Sequence, residues 1–396
     1  MEADTIDSSY VEELGRSRGE PDWLRERRER AWESYEGLPA PRVIRTPGKR
    51  WTDLGDLDVR ALAKATETAD VRDEIEAPGE VTVEPLSEAV EHHEAAREHL
   101  NEVVRWDENR YTAVHAAAWT DGLFVHVPAG VEASDVVRTT TEVEGASRLT
   151  HTLVVAEENS RVAVAEATTG GDESYLSNVV EVVAEDGAQV DYASLQNLSD
   201  DSYQYTTKRG VAGRDAEVNW IDGCFGTALT KSTVATVIEG EGASTANLGL
   251  FYGADSQHFD VETWTDHRAP NTTCDMFTRG VVDERAVAAY EGTIRVAEDA
   301  PDVDAYQTEN VLMVSDEAEA DASPRLEIDN NDVKCSHAAT VGKVDEEELF
   351  YMNSRGIDTE TAKRRIVEGF FEPVLGRLSF TETEDEFRAI VERKME

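Results

Sequence analysis

The chain has 396 residues, with 83 Asp and Glu against 38 Lys and Arg, a formal net charge of −45. A surface this acidic repels phosphate backbones and anionic lipid, so nucleic acid and membrane surfaces are excluded as expected partners. No run of about 18 apolar residues is present to span a bilayer, and the acidic start Met1-Glu2-Ala3-Asp4-Thr5 lacks the apolar core of a signal peptide; the expected location is the cytoplasm.

The acidic residues recur in nearly every segment, including the tight turns between apolar runs. Regular Val and Ala patterning between them argues for a folded chain and against disorder. The excess reads as adaptation to a high-salt cytosol, because at molar salt the Debye length is only about 3 Å and self-repulsion is screened. Cys224, Cys274 and Cys335 lie far apart. An odd count without close spacing makes a disulfide framework unexpected.

Along the chain, Glu20-Pro21-Asp22 opens a helix over residues 20–36, with Trp23, Leu24, Ala31, Trp32 and Tyr35 at helical spacing and Leu38-Pro39-Ala40-Pro41 as the stop. Trp51-Thr52-Asp53-Leu54 begins an irregular stretch. Residues 85–118 again read as helical, through Leu86, Ala89, Ala95, Leu100, Val103 and Ala116-Ala117-Ala118. Residues 1–120 are therefore assigned to an N-terminal, mostly helical region.

From Gly122 the period changes. Short Val/Ala/Leu/Thr runs alternate with acidic or Gly-containing turns, and a repeat emerges. Ser160, Ala188, Ala216 and Ala243 occupy equivalent turn positions at steps of 28, 28 and 27, and Tyr175, Tyr203, Thr230 and His258 mark a second turn at 28, 27 and 28. Two turns per period leave roughly 14 residues for each strand and its turn. The expected fold is mainly β: a flattened, right-handed parallel β-helix of about 27–28 residues per rung over residues 121–342, flanked by N-terminal and C-terminal helical regions. Residues 343–396 form the C-terminal helical part. Asp345 caps its first helix with Glu348 three residues on, Gly356 ends it, Asp358 or Thr359 opens the next, Pro373 breaks or kinks that one, and Thr383 with Glu386 starts the last.

Cys335-Ser336-His337 is the one place where a thiol and an imidazole sit close together. In an extended strand, i and i+2 share a face, and the pair suits iron, zinc or an iron–sulfur centre. The alternative is a structural Cys beside a satisfied His. Cys224, Cys274 and Cys335 differ by 50 and 61, not multiples of the step, so they are not expected to stack. Because a cluster needs about four ligands, one chain is not expected to hold it stably, and a transient site shared with a partner fits better. His258 and Asp260 read as a polar ladder on a solvated strand face. His92, His93 and His99 read as solvent-facing on a helix and His115 as core, with no zinc site among them. Arg364-Arg365 reads as a solvated face or as a contact for an acidic patch on a partner. No phosphate-binding Gly-x-x-x-x-Gly-Lys loop and no Gly-x-Ser-x-Gly elbow occur.

The stretch Leu326-Glu-Ile-Asp-Asn-Asn-Asp332-Val-Lys-Cys335-Ser-His337-Ala-Ala-Thr-Val-Gly342-Lys-Val-Asp345, followed by Leu349-Phe-Tyr351 and Ser354-Arg-Gly-Ile357, closely resembles the C-terminal signature of the SufB/SufD family of iron–sulfur cluster assembly proteins. Gln257-His-Phe-Asp260, His267-Arg-Ala-Pro270, Tyr290-Glu-Gly-Thr-Ile294 and Gln307-Thr-Glu-Asn310 fit the same pattern. Weaker matches are Pro21-Asp-Trp23, Leu38-Pro39 and Trp51-Thr52. Lys334-Cys335-Ser336-His337 stands where the SufB branch has a Glu-His-Glu-Ala type sequence, which favours the SufD branch. The family usually has Gly where this chain has Ala338, which puts the local backbone in question if that Gly has positive φ.

The resemblance implies a non-enzymatic scaffold that pairs with a SufB-like paralogue through the β-helix and docks a SufC-like ATPase on its C-terminal helices. It implies Cys335 and His337 as the functional pair, with no stably bound cofactor and only transient iron or cluster. Phe350, Tyr351, Arg364, Arg365 and Phe370 become the candidate partner-binding residues. A homodimer of the isolated chain stays open. So do two other readings, a β-helical polysaccharide lyase or hydrolase and a self-assembling structural β-helix.

If the acidic surface is a high-salt adaptation, the midpoint of thermal unfolding should climb steadily from dilute buffer to molar KCl. A melting curve indifferent to KCl would refute that reading.

Overall fold

A computed structural model of the chain describes residues 6–39, 43–45, 51–53, 70–144, 147–171, 174–377 and 381–395. Met1–Thr5, the Ala40-Pro41 stop and Leu54 fall outside these. The N-terminal layer contains α1 (Ser8–Ser17), α2 (Asp22–Gly37), a short antiparallel pair β1 (Val43–Arg45) and β2 (Trp51–Asp53), strands β3 (Asp70–Glu76) and β4 (Thr82–Pro85), and helices α3 (Leu86–His92), α4 (Glu94–His99) and α5 (Arg110–Ala118). The region read as one helical stretch from 85 to 118 is thus three helices. His93 breaks the first two apart with extended backbone, φ −93° and ψ 122°. Asn109 starts the third with a capping box that includes Thr112.

Sixteen strands then alternate between two sheets. One sheet holds β6 (Val137–Glu144), β8 (Arg161–Gly170), β10 (Gln189–Leu198), β12 (Glu217–Cys224), β14 (Ser244–Gly253), β16 (Thr273–Val282), β18 (Val303–Met313) and β20 (Val333–Lys343). The other holds β5 (Leu123–Val127), β7 (Ser147–Ala156), β9 (Tyr175–Ala184), β11 (Tyr203–Ala212), β13 (Leu229–Ile238), β15 (His258–His267), β17 (Val287–Val296) and β19 (Glu319–Ile328). Neighbours within each sheet are parallel and in register, so each rung is one odd and one even strand and the fold is a β-solenoid. At the N-terminal end, β3 and β4 close the two sheets as antiparallel strands on β6 and β5.

The repeat is visible in the ladder. Arg161 pairs with Gln189, Gln189 with Glu217 and Glu217 with Ser244, steps of 28, 28 and 27. Beyond that the rung lengthens: Ser244 to Thr273 to Asp304 to Lys334 gives 29, 31 and 30. In the other sheet Tyr203 pairs with Leu229, not Thr230, because β12 ends two residues early at Cys224.

One turn per rung needs a left-handed residue, and the sequence supplies a tolerant one each time. Gly130, Asn159, Gly187, Asp215, Gly242, Asn271 and Asp302 have φ between 54° and 79°. Their N–H groups donate to carbonyls of the next rung's turn, for example Asn159 to Asp186 at 2.9 Å and Gly187 to Arg214 at 2.7 Å. The backbone ladder therefore continues through the turns as well as the strands.

Between the sheets, the first rungs are packed with Val125, Val154, Val162, Val164, Val180, Val182, Val190 and Val218. Outside, α2 and α5 cover Leu149, Leu153 and Val155 of β7. The C-terminal helices α6 (Glu346–Ser354), α7 (Thr359–Leu375) and α8 (Thr381–Lys394) follow β20. Val367, Phe371, Val374, Phe387 and Ile390 of the last two lie on Leu195, Ile221, Leu250 and Val281, the outer face of the even-strand sheet. Asp345 and Asp358 cap α6 and α7 as expected, but α7 runs past Pro373 to Leu375. No described helix is long and apolar enough to cross a membrane.

Inside the solenoid the even strands carry one polar file in register: Glu166, Ser194 and Asp222, then Thr278 and Glu309 beyond Gly249. The Lys208 ammonium donates to Asp222 and Ser194. Burial opposes both charges, yet each partner holds the other ionised. Among the described residues Glu309 has no such cation. Only the Gln307 amide donates to it, and burial pushes its carboxyl up to about 8.

A buried acid raised in this way keeps its proton while the unfolded chain has already lost one. Stability therefore falls as pH rises from about 4.5 to about 8, by up to about 1.4 kcal/mol per pH unit, and the loss is complete above the folded value. Glu309→Gln should remove this slope and be the more stable protein at pH 8 by chemical denaturation. Parallel pH profiles for variant and parent would contradict a buried, protonated Glu309.

Candidate functional site

The solenoid stops at β19 and β20, and nothing described pairs with their outer edges. Parallel in-register partners share a face, so the inward alternation of β18 (Val303, Ala305, Gln307, Glu309 and Val311 buried) continues into β20 as Val333, Cys335, His337, Ala339 and Val341. Cys335 and His337 thus project on the same, inward side. With no rung above them, Cys335 is only half-buried and His337 is exposed.

Below this open end, Cys335, Val333, Leu326 and Ile328 sit on the buried cluster of Cys274, Met276, Ile294, Val303 and Ala305. Cys274 pairs with Ala305, and Ala305 with Cys335. The two cysteines therefore share one column two rungs apart, with Cα atoms roughly 10 Å from each other. The expectation that no cysteines stack is corrected for this pair. Their separation of 61 is one 31-residue and one 30-residue rung, longer than the step read from the earlier repeats. Cys224 lies elsewhere in the interior, fully buried, with its Sγ 3.7 Å from Asp222.

Burial sets the chemistry of the three thiols. It pushes Cys274 up to about 12 and Cys224 well above its ordinary value, with Asp222 adding to the second shift. Cys335 is pushed up less, chiefly by partial burial; the Ala305 backbone opposes the shift and Asp304 adds to it. Under His337, the Gln307 Oε1 and Glu309 Oε2 atoms are buried without a hydrogen-bond partner. These two polar residues were noted in sequence only as part of a motif. Their inward position follows from the strict alternation of 303, 305, 307, 309 and 311. Ala338 has no positive φ and pairs with Thr308 in ordinary strand, so its Cβ introduces no backbone strain.

The candidate partner residues divide. Phe350 and Tyr351 are 74% and 58% exposed on α6, a helix with no buried residue. Arg365 is exposed and pairs with Glu368 at 2.6 Å, and Arg364 is half-exposed. Phe370 is half-buried under the Arg279 guanidinium, 4.7 Å from its ring centroid, and helps seat α7 on the solenoid. His258 and Asp260 are not on a solvated face: Asp260 is buried, 2.8 Å from Lys231 Nζ and 2.5 Å from Thr52 Oγ1. His115 is buried against Ser177 and His151.

Residues 138–370 match the family described as SUF system FeS cluster assembly, SufBD core domain. The chain belongs to the SufB/SufD family. It is 28% identical to the iron–sulfur cluster assembly protein SufD of Bacillus subtilis over 99% of this chain and 98% of that one. It is 27% identical to SufB of the same organism over 93% and 88%. A SufBD family protein of Staphylococcus epidermidis is 29% identical over 76% of this chain and 66% of its own length. One point of identity separates the SufD and SufB relatives, so the comparison fixes the family and not the branch. As a member of the SufB/SufD family the chain takes part in SUF iron–sulfur cluster assembly.

The burial differences predict one reactive thiol in the folded protein. Iodoacetamide should modify Cys335 alone, with Cys224 and Cys274 reacting only in denaturant, and the rate should still be rising above pH 9 because the thiol is pushed up. Peptide mapping that finds Cys274 modified as fast as Cys335 would contradict the described burial.

Proposed function

We propose that this chain is a SufD-type scaffold subunit without catalytic chemistry of its own, which pairs edge to edge with a SufB-like paralogue. The observation that carries the reading is the uncapped last rung. An unpaired parallel edge exposes a row of N–H and C=O groups and is normally blunted or covered, yet here it also leaves Val341 38% exposed and half-uncovers the core beneath Cys335. A second polypeptide laid on that edge would satisfy the backbone and enclose Cys335 and His337.

Iron and sulfide are the cargo assembled at that seam. His337 supplies an accessible imidazole and Cys335 a thiol whose proton is displaced when metal arrives. This chain offers one accessible thiol and one imidazole there, so the remaining ligands come from the partner, and no cofactor is resident. Lys334-Cys335-Ser336-His337 in place of a Glu-His-Glu-Ala type sequence supports the SufD branch. The C-terminal helices dock a SufC-like ATPase. Phe350 and Tyr351 form the contact, Arg364 and Arg365 flank it, and Phe370 holds α7 in place beneath. Three free thiols suit a reducing cytoplasm.

Co-expression with the paralogue and ATPase, followed by anaerobic iron and sulfide analysis, tests the reading. Cys335→Ala and His337→Ala should each lower cluster content about tenfold or more while leaving the complex intact. Phe350→Ala with Tyr351→Ala should instead weaken ATPase binding by about 30-fold, the scale of an interface hot spot. Full cluster content in both site variants would sink the site assignment, and a chain that captures neither protein would sink the scaffold role.

A further inference from the structure

A second donor set lies at the opposite end of the solenoid. Glu84 is on β4, the antiparallel strand that closes the odd-strand sheet, and α3 leaves that strand directly after Pro85. The helix folds back so that His92, its last residue, and His93, the extended residue after it, both aim Nε2 at Glu84 Oε1, at 3.3 Å and 2.8 Å. The three donor atoms lie within 4.8 Å of one another.

Three features separate this arrangement from an ordinary imidazole–carboxylate pair. A pair needs one imidazole, and here two Nε2 atoms converge on a single oxygen. That oxygen is buried and has no hydrogen-bond partner, so neither ring sits in hydrogen-bonding geometry to it. The His93 ring is held in place by packing against Phe124, 5.0 Å between centroids, and against His92, 4.6 Å. His126 is also near, 6.3 Å from His93, but its Nε2 is taken by Glu157 at 2.9 Å.

Two neutral imidazoles and one carboxylate are the donors that divalent zinc and iron favour. A tetrahedral ion with bonds of about 2.0–2.2 Å sets its ligand atoms about 3.3–3.5 Å apart, the scale of the spacing seen. His92 and His93 also line an open cleft of about 750 Å³, where Glu91, Glu94 and Glu98 outnumber the single cation Arg97 and leave a net negative wall for an arriving cation. We propose that Glu84, His92 and His93 form a binding site for a divalent transition-metal ion, with a coordination position open to this cleft. The expectation of solvent-facing histidines holds for the exposed His92, while His93 is half-buried beside Glu84. The missing ligand comes from a strand eight residues upstream. The site is independent of the scaffold role and of the terminal rung.

The test uses the full chain carrying Cys335→Ala and His337→Ala, so that the terminal rung cannot contribute, stripped with chelator and titrated in high salt with Zn²⁺, Co²⁺ and, anaerobically, Fe²⁺. One equivalent should bind in the presence of excess Mg²⁺, Co²⁺ should give the intense visible bands of a four-coordinate site, and Zn²⁺ should raise the unfolding midpoint. Glu84→Gln, near-isosteric, and His92→Ala, at an exposed position, should each weaken binding about tenfold or more with unchanged circular dichroism. His93→Ala should abolish it. The proposal is overturned if Glu84→Gln and His92→Ala bind as the parent does. It is equally overturned if the ions bind without stoichiometry and are displaced by Mg²⁺, as on a diffuse acidic surface, or if no ion binds and the three groups are only an ion-pair cluster. Preference among the Zn²⁺ and Fe²⁺ titrations assigns the ion.

Discussion

A parallel strand cannot satisfy its own backbone. It needs a partner on each side, and in this chain every strand from β7 and β8 through β17 and β18 obtains both from the rungs before and after it. The constraint reaches into the turns, where left-handed Gly, Asn and Asp residues pass hydrogen bonds from rung to rung. Because the register is fixed this way, side chains far apart in sequence fall into shared columns. The two terminal rungs each lack one such neighbour, and both candidate sites lie at these ends. At the first end antiparallel β3 and β4 close the sheets and the N-terminal helices cover the odd-strand face. At the last end nothing described does so.

How far the sequence reveals this depends on how strictly the ladder keeps its period. The columns through Ser160, Ala188, Ala216 and Ala243 are legible because their turns need a tolerant left-handed residue and a small buried one at constant spacing. The Cys274–Cys335 column was not legible, because the later turns, such as Ala297–Asp302, are longer and the step grows to 30 and 31. The shared face of Cys335 and His337 was legible because a two-residue spacing on one strand survives any error in rung length. Asp260 was misplaced because its burial comes from Lys231, one rung away, and from Thr52, more than 200 residues upstream. The approach of Glu84 to His92 and His93 was not legible for a similar reason. Helical periodicity describes α3 well, but the third donor comes from β4, and no spacing rule connects a strand to the helix that folds back on it.

The interior also changes along the axis. Valine dominates the first rungs, and from β8 onward the file through Glu166, Ser194, Asp222, Thr278 and Glu309 brings carboxylates, hydroxyls and a lysine inside. Buried ion pairs such as Lys208–Asp222 contribute little net stability over a well-packed apolar pair. Glu309 is the extreme member: it sits one rung below Ala339, beside the column of His337, and stays protonated for want of a cation. The one file member raised without a cation is therefore adjacent to the open end.

That adjacency bears on how the terminal thiol can act. Partial burial pushes Cys335 up, and Asp304 reinforces the shift, so in the isolated chain the thiolate is disfavoured at neutral pH. A thiolate is the form that ligates metal. Something must supply positive charge at that spot before Cys335 is a good ligand, and the described residues around it supply none that faces the core: Lys334 alternates to the other side of β20. An incoming iron ion would provide that charge, and so would a cationic group on a strand laid along the edge. Under the proposed function, the reactivity of this one thiol would then depend on what arrives at the unpaired edge, whether the ion itself or a second chain.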